Sequence, residues 1–155
     1  MMTSLCCKIL SALEGKTLVT AESCTGGGIG AALTAIPGSS KVYKGGIISY
    51  VNDVKINNLS VPAELIELHG PVCAAVAEAM ADGARKTLNA DVAVSVTGLA
   101  GPDGDDFGNP VGTIFVGYSD DSKTISKKFF FSGDRDAVRH QAIVAALQLI
   151  LDYCG

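Results

Sequence analysis

Apolar positions along the chain fall into two spacings, and the changes between them mark its elements. Leu5, Cys6, Ile9, Leu10 and Leu13 recur at helical spacing and Gly15 follows, so residues 4–14 read as an amphipathic helix. A β-branched run predicts a strand over 17–21. Small residues then predict a helix over 26–36, stopped by Pro37-Gly38. Ile47, Ile48 and Tyr50 mark a second strand from Gly46 to Val51. Asn52 or Asp53 caps a short helix carrying Val54, Ile56 and Leu59. Pro62 opens a further helical turn through Leu68. Pro71 fits the first position of a longer helix reaching about Leu88, where its missing N–H is no loss.

Asp91 to Thr97 reads as a buried strand, and residues 98–110 hold too many Gly and Pro for a regular element. Val111–Tyr118 and Thr124–Phe131 form a hairpin signal across 119–123. Ser132 to Asp134 then caps a last helix, with Val138, Ala142, Ala145, Ala146, Leu149 and Ile150 facing inward. Helices alternate with strands, so the pattern predicts an α/β fold. It is a single-domain sandwich over 1–155, with a mixed β-sheet flanked by helices.

Composition narrows the function classes. A chain of 155 residues buries roughly 68–70% of its extended surface, enough for a core without disulfide or metal staples. Net charge is −4 with no Lys/Arg stripe, which argues against nucleic acid as a partner. A small anion held locally stays possible. The five cysteines are odd in number and lack a CxxC spacing, so they read as reduced thiols of a cytoplasmic protein. No apolar run approaches the ~18 residues that span a bilayer, and no secretory leader is apparent, so no membrane partner is expected.

Four clusters could carry chemistry. The first is Glu22-Ser23-Cys24-Thr25-Gly26-Gly27-Gly28, between a strand and a helix. Backbone N–H groups and the positive helix end suit an anion there, with hydroxyl donors from Ser23 and Thr25. It lacks the Gly-Lys-Ser/Thr ending of a P-loop. Gly26, Gly28 and Ala31 satisfy G-x-G-x-x-A with Asp53 beyond, a weak dinucleotide signal, and the glycines could equally serve packing alone. Cys24 is a possible thiolate at a helix start, but neither histidine is placed to activate it.

The second cluster is Pro37-Gly38-Ser39-Ser40, then Tyr50, then Lys55. A Ser-Lys arrangement can replace Ser-His-Asp if burial keeps the lysine neutral, although solvated surfaces carry the same residue types. The third is Thr97-Gly98-Leu99-Ala100-Gly101-Pro102-Asp103-Gly104, just after the buried strand. Asp103, Asp105 and Asp106 lack the spacing of a calcium loop, so no metal is expected. The fourth is Ser132-Gly133-Asp134-Arg135-Asp136-Ala137-Val138-Arg139. Its arginines, early in a helix, are disfavoured by the helix dipole unless an anion offsets them; pairing with Asp134 or Asp136 is the plain alternative.

AESCTGG, PGSS, the Tyr–Lys pair, VTGLAGPDG, NPVGT and FSGDRDAVR, in that order, closely resemble the C-terminal domain of the CinA family, in a match that runs from about residue 4 to 153. Stand-alone members of that family are nicotinamide-nucleotide amidohydrolases. The resemblance implies hydrolysis of the carboxamide of nicotinamide mononucleotide to nicotinic acid mononucleotide and ammonia, part of pyridine nucleotide salvage. It implies no metal, no cofactor, and a homo-oligomer, a dimer or larger. It further implies Ser40 as nucleophile with Tyr50 and Lys55 as partners. Ser23, Thr25, Gly26, Gly27, Thr97, Gly98 and Arg135 or Arg139 would bind the substrate. A non-catalytic nucleotide-binding or regulatory module is the second reading. The loop Asp105-Asp106-Phe107-Gly108-Asn109 departs from the family pattern where substrate fit would be set.

Overall fold

In a computed structural model describing residues 1–154, five strands form one mixed sheet. The strands are β1 (Leu18–Glu22), β2 (Tyr43–Ile48), β3 (Val92–Gly98), β4 (Thr113–Ser119) and β5 (Thr124–Phe130), in the spatial order β2-β1-β3-β4-β5. β1 runs parallel to both β2 and β3, while β3/β4 and β4/β5 are antiparallel. The helices are α1 (Met2–Ala12), α2 (Gly28–Thr34), α3 (Asn52–Leu59), α4 (Ala63–His69), α5 (Ala74–Thr87) and α6 (Arg135–Tyr153). This is the α/β sandwich with a mixed sheet that the pattern predicts.

Strand alternation sorts the core into two layers. Leu18, Val92, Val94 and Val96 join α1, α2 and α6 on one face. Val19, Ala21 and Ala93 join α3, α4 and α5 on the other. β3 is buried on both faces, and its two hydroxyls, Ser95 and Thr97, are spent on the Ala77 and Pro71 carbonyls. No helix among the described residues is long and apolar enough to cross a membrane.

The α3–α5 crossing is unusually close. A Cβ at Gly83 of α5 would overlap the carbonyl of Leu59, the last residue of α3. Only a residue without a side chain permits that approach, and it fixes how deeply α3 sits against the sheet.

Several boundaries differ from the sequence expectation, β2 also ending at Ile48 rather than Val51, and two of them have a visible cause. β2 begins at Tyr43 rather than Gly46, because the Tyr43 hydroxyl pairs with Thr20 Oγ1 at 2.8 Å and the Val42 carbonyl accepts from Leu18 N. α5 begins at Ala74 rather than Pro71, because the Thr97 hydroxyl donates to the Pro71 carbonyl at 2.7 Å and holds that stretch against β3.

Candidate active site

β1, β2 and β3 are parallel, so the segments that follow all three strands meet at one edge of the sheet. Ser23 comes directly after β1, Tyr50 and Lys55 after β2, and Gly98 closes β3. The first turns of α6 deliver Arg135 and Arg139 to this edge, against Gly101 and the Cys24–Thr25 carbonyls.

Lys55 is the centre of this edge. It is 1% exposed, and its Nζ donates to Ser23 Oγ at 3.1 Å, to the Ser49 carbonyl at 2.7 Å and to the Tyr50 carbonyl at 3.4 Å. It ion-pairs with no carboxylate among the described residues. Burial without a counter-charge favours the neutral amine, and its pKa is lowered from 10.5 to about 8. A neutral amine keeps two N–H donors and one lone pair. The two carbonyls take the donors, which leaves the lone pair for the Ser23 hydroxyl.

The turn that holds Ser23 is shaped from within. Glu22 is 2% exposed, and its carboxylate accepts from the Thr25 hydroxyl at 2.8 Å, Ile29 N at 2.9 Å and Gly30 N at 3.1 Å. Gly26 and Gly27 adopt φ of 57° and 100°, which lets the chain turn sharply into α2. The sequence expectation of a ligand anion is corrected for the first free N–H groups of α2, since Ile29 N and Gly30 N are taken. The chain's own carboxylate already occupies that end, and the Thr25 hydroxyl is spent on it. The N–H groups of Thr25 and Gly27 themselves make no hydrogen bond to described residues.

The structure does not bring Ser40 together with Tyr50 or Lys55. Ser40 is exposed on a single 3-10 turn, Ser39–Lys41, just ahead of β2. Lys55 follows the far end of that strand. Six residues of strand at about 3.3 Å each separate them by roughly 20 Å, so no proton can pass between them. The Tyr50 hydroxyl is also turned away from Lys55. Tyr50 is 57% exposed, and its hydroxyl accepts from Arg135 Nη2 at 3.0 Å, so only its main-chain carbonyl touches the lysine.

The other expected residues fall nearby, in differing roles. The Thr97 hydroxyl is committed to Pro71, and Gly98 lies flat against Ile114 and Thr113 of β4. Arg139 Nε donates to the Cys24 carbonyl at 2.9 Å and its Nη2 to the Thr25 carbonyl at 3.3 Å. Arg135 donates to Gly101 O as well as to Tyr50. The chain has three arginines, and Arg85 pairs with Asp82. Arg135 and Arg139 meet only neutral oxygens among the described residues, so two cationic groups stand at this edge without counter-charges. Cys24 is buried, which pushes its thiol up to about 11 and keeps it protonated. The signal that sequence reading missed is topological: in a strand–helix–parallel strand unit, the residues after both strands share an edge that the residues before the second strand cannot reach.

Residues 2–154 match the family model of the CinA C-terminal domain. A nicotinamide-nucleotide amidohydrolase, PncC, of Pseudomonas putida is 46% identical over 134 residues, which cover 86% of this chain and 84% of that protein. A CinA-like protein of Geobacter sp. (strain M21) is 47% identical over 140 residues. The chain spans about a third of the length of such CinA-like relatives, 34% in that case. Among solved structures, the competence damage-inducible protein A of Klebsiella pneumoniae superposes with a TM-score of 0.95 at 34% identity. That match covers 98% of this chain and 96% of the other.

Proposed function

Because this chain belongs to the CinA C-terminal domain family, we propose that it is an amidohydrolase acting on the carboxamide of nicotinamide mononucleotide, with Ser23 as nucleophile and Lys55 as general base. The observation that carries this reading is the 3.1 Å contact between Ser23 Oγ and a buried lysine free of any carboxylate. A serine is a weak nucleophile at its ordinary pKa, and an adjacent neutral amine activates it. Ser23 Oγ attacks the carboxamide carbon while its proton passes to Lys55 Nζ. The unpartnered N–H groups of Thr25 and Gly27, in the same turn, are the donors available to the oxyanion. The intermediate collapses, the C–N bond breaks, and Lys55 returns the proton to the departing ammonia. Water then attacks the acyl-serine with Lys55 again taking the proton. The products are the free carboxylate and regenerated Ser23.

The uncompensated Arg135 and Arg139 favour a substrate with a phosphate, as a nucleotide has. Tyr50 then acts as a wall of the site held by Arg135, rather than as a proton relay. The test is direct. Purified protein incubated with nicotinamide mononucleotide releases ammonia, and Ser23→Ala does not. Folded wild-type protein that releases none between pH 6 and 9, yet binds the nucleotide by calorimetry, overturns the enzyme in favour of a binding module.

A further inference from the structure

Only two acidic or basic side chains are buried among the described residues, Lys55 and Glu22. They do not pair with each other, and the reaction described above uses only the lysine. A carboxylate taken from water without a cation needs strong donors to hold it. Glu22 finds three: Ile29 N, Gly30 N and the Thr25 hydroxyl. Its main chain is tied as well. The Glu22 carbonyl accepts Ser49 N at 2.7 Å, and the Ser49 carbonyl in turn accepts Lys55 Nζ at 2.7 Å. One residue therefore references both the turn that presents Ser23 and the segment that seats Lys55.

We infer that Glu22 is a positioning residue for the Ser23–Lys55 pair, acting through the turn and never touching substrate. The inference rests on the amidohydrolase reading of that pair. Glu22 pins the chain at residues 22, 25, 29 and 30, so residues 23–27 hold one path and Ser23 Oγ stays facing the amine. Glutamine matches its shape but sets an NH₂ against a backbone N–H, so at least one donor loses its partner and the turn gains freedom. A small misplacement of reacting groups lowers the rate of the chemical step more than it weakens binding.

The experiment compares wild type, Glu22→Gln, Glu22→Asp and Thr25→Val. Three quantities are read: kcat and KM on nicotinamide mononucleotide, the rate at which a fluorophosphonate modifies Ser23 by mass spectrometry, and the fraction folded. Glu22→Gln lowers kcat about a hundredfold with KM within about twofold, and slows Ser23 modification in parallel. Glu22→Asp, which keeps the charge, recovers about tenfold of that loss. Thr25→Val removes one tie and lowers kcat about fivefold, which keeps the test open if Glu22→Gln does not fold. Wild-type kcat per folded molecule in Glu22→Gln, a change in KM alone, Glu22→Asp no better than Glu22→Gln, or an unaltered Thr25→Val each overturns it. Wild type that releases no ammonia sinks the amidohydrolase reading instead. The modification rates then decide Glu22 alone: unchanged labelling in Glu22→Gln, or a wild-type Ser23 inert to the probe, overturns its role.

Discussion

Helix α2 carries a serine-bearing turn at each end, and the two turns have opposite characters. Ser23 lies at its start, buried, 3.1 Å from an amine whose pKa burial lowers to about 8. Ser40 lies beyond its finish, exposed, on a turn whose only ionisable member is Lys41. Both turns have the glycine and hydroxyl composition that presents a side chain. What separates them is the direction of β1 and β2, which sends Lys55 to the start of the helix and away from its end. A reactive serine is defined by the group it faces, and that is a property of topology before it is one of local sequence.

The largest effect expected is at the buried turn. Ser23→Ala lowers turnover on nicotinamide mononucleotide by at least about 10³-fold with the fold unchanged by circular dichroism. Equal turnover in Ser23→Ala would collapse the distinction between the turns. Lys55→Met follows, with a loss of about 10²–10⁴-fold. With the neutral lysine as the proposed base, wild-type kcat/KM is expected to rise as pH rises through about 8. The same group marks stability. Its folded pKa, about 8, lies below the ordinary 10.5, so the unfolded chain binds more protons between those values. Wild-type stability therefore rises across that window relative to Lys55→Met, by about 3 kcal/mol, as urea titrations at pH 7 and 10.5 would read.

A smaller effect is expected at the rim. Arg135→Ala raises KM for the mononucleotide about tenfold and leaves kcat within threefold, while KM for the dephosphorylated nucleoside, which loses only the hold on the Tyr50 wall, rises far less. Equal sensitivity of nucleoside and nucleotide would remove the phosphate from Arg135. The smallest effect sharpens the comparison from the other side: Ser40→Ala leaves kcat and KM within about twofold, as surface changes far from chemistry do. A tenfold loss there would restore the exposed turn to the mechanism.

Much of this organisation is legible in the chain itself. Helical spacing of Leu5, Ile9 and Leu13 finds α1, the Asp134 cap of α6 is realised through its bond from Ala137 N, and the hairpin lies where its turn residues place it. Lys55 is recognisable as a lysine one turn into a helix that follows a strand. Its burial is not, since that depends on Ser49 and Ser23 arriving from two other segments. The distinction between Ser23 and Ser40 is hidden from local pattern and is visible once the parallel pairing of β1 and β2 is applied. The anion expected at the start of α2 meets a different obstacle: Glu22 reads as a strand-end residue, and only the bend at Gly26 and Gly27 folds its carboxylate back onto the helix. Pro71 likewise obeys a sound local rule that a distant hydroxyl, Thr97, overrides.

The missing methyl at Gly83 has a reach beyond its own contact. Because nothing but hydrogen stands between α5 and the Leu59 carbonyl, the depth of the helix that bears Lys55 is set from its back. An alanine there would have to displace α3 from behind, although it touches neither Lys55 nor Ser23. A single absent side chain in the packing layer thus helps set where a buried amine stands.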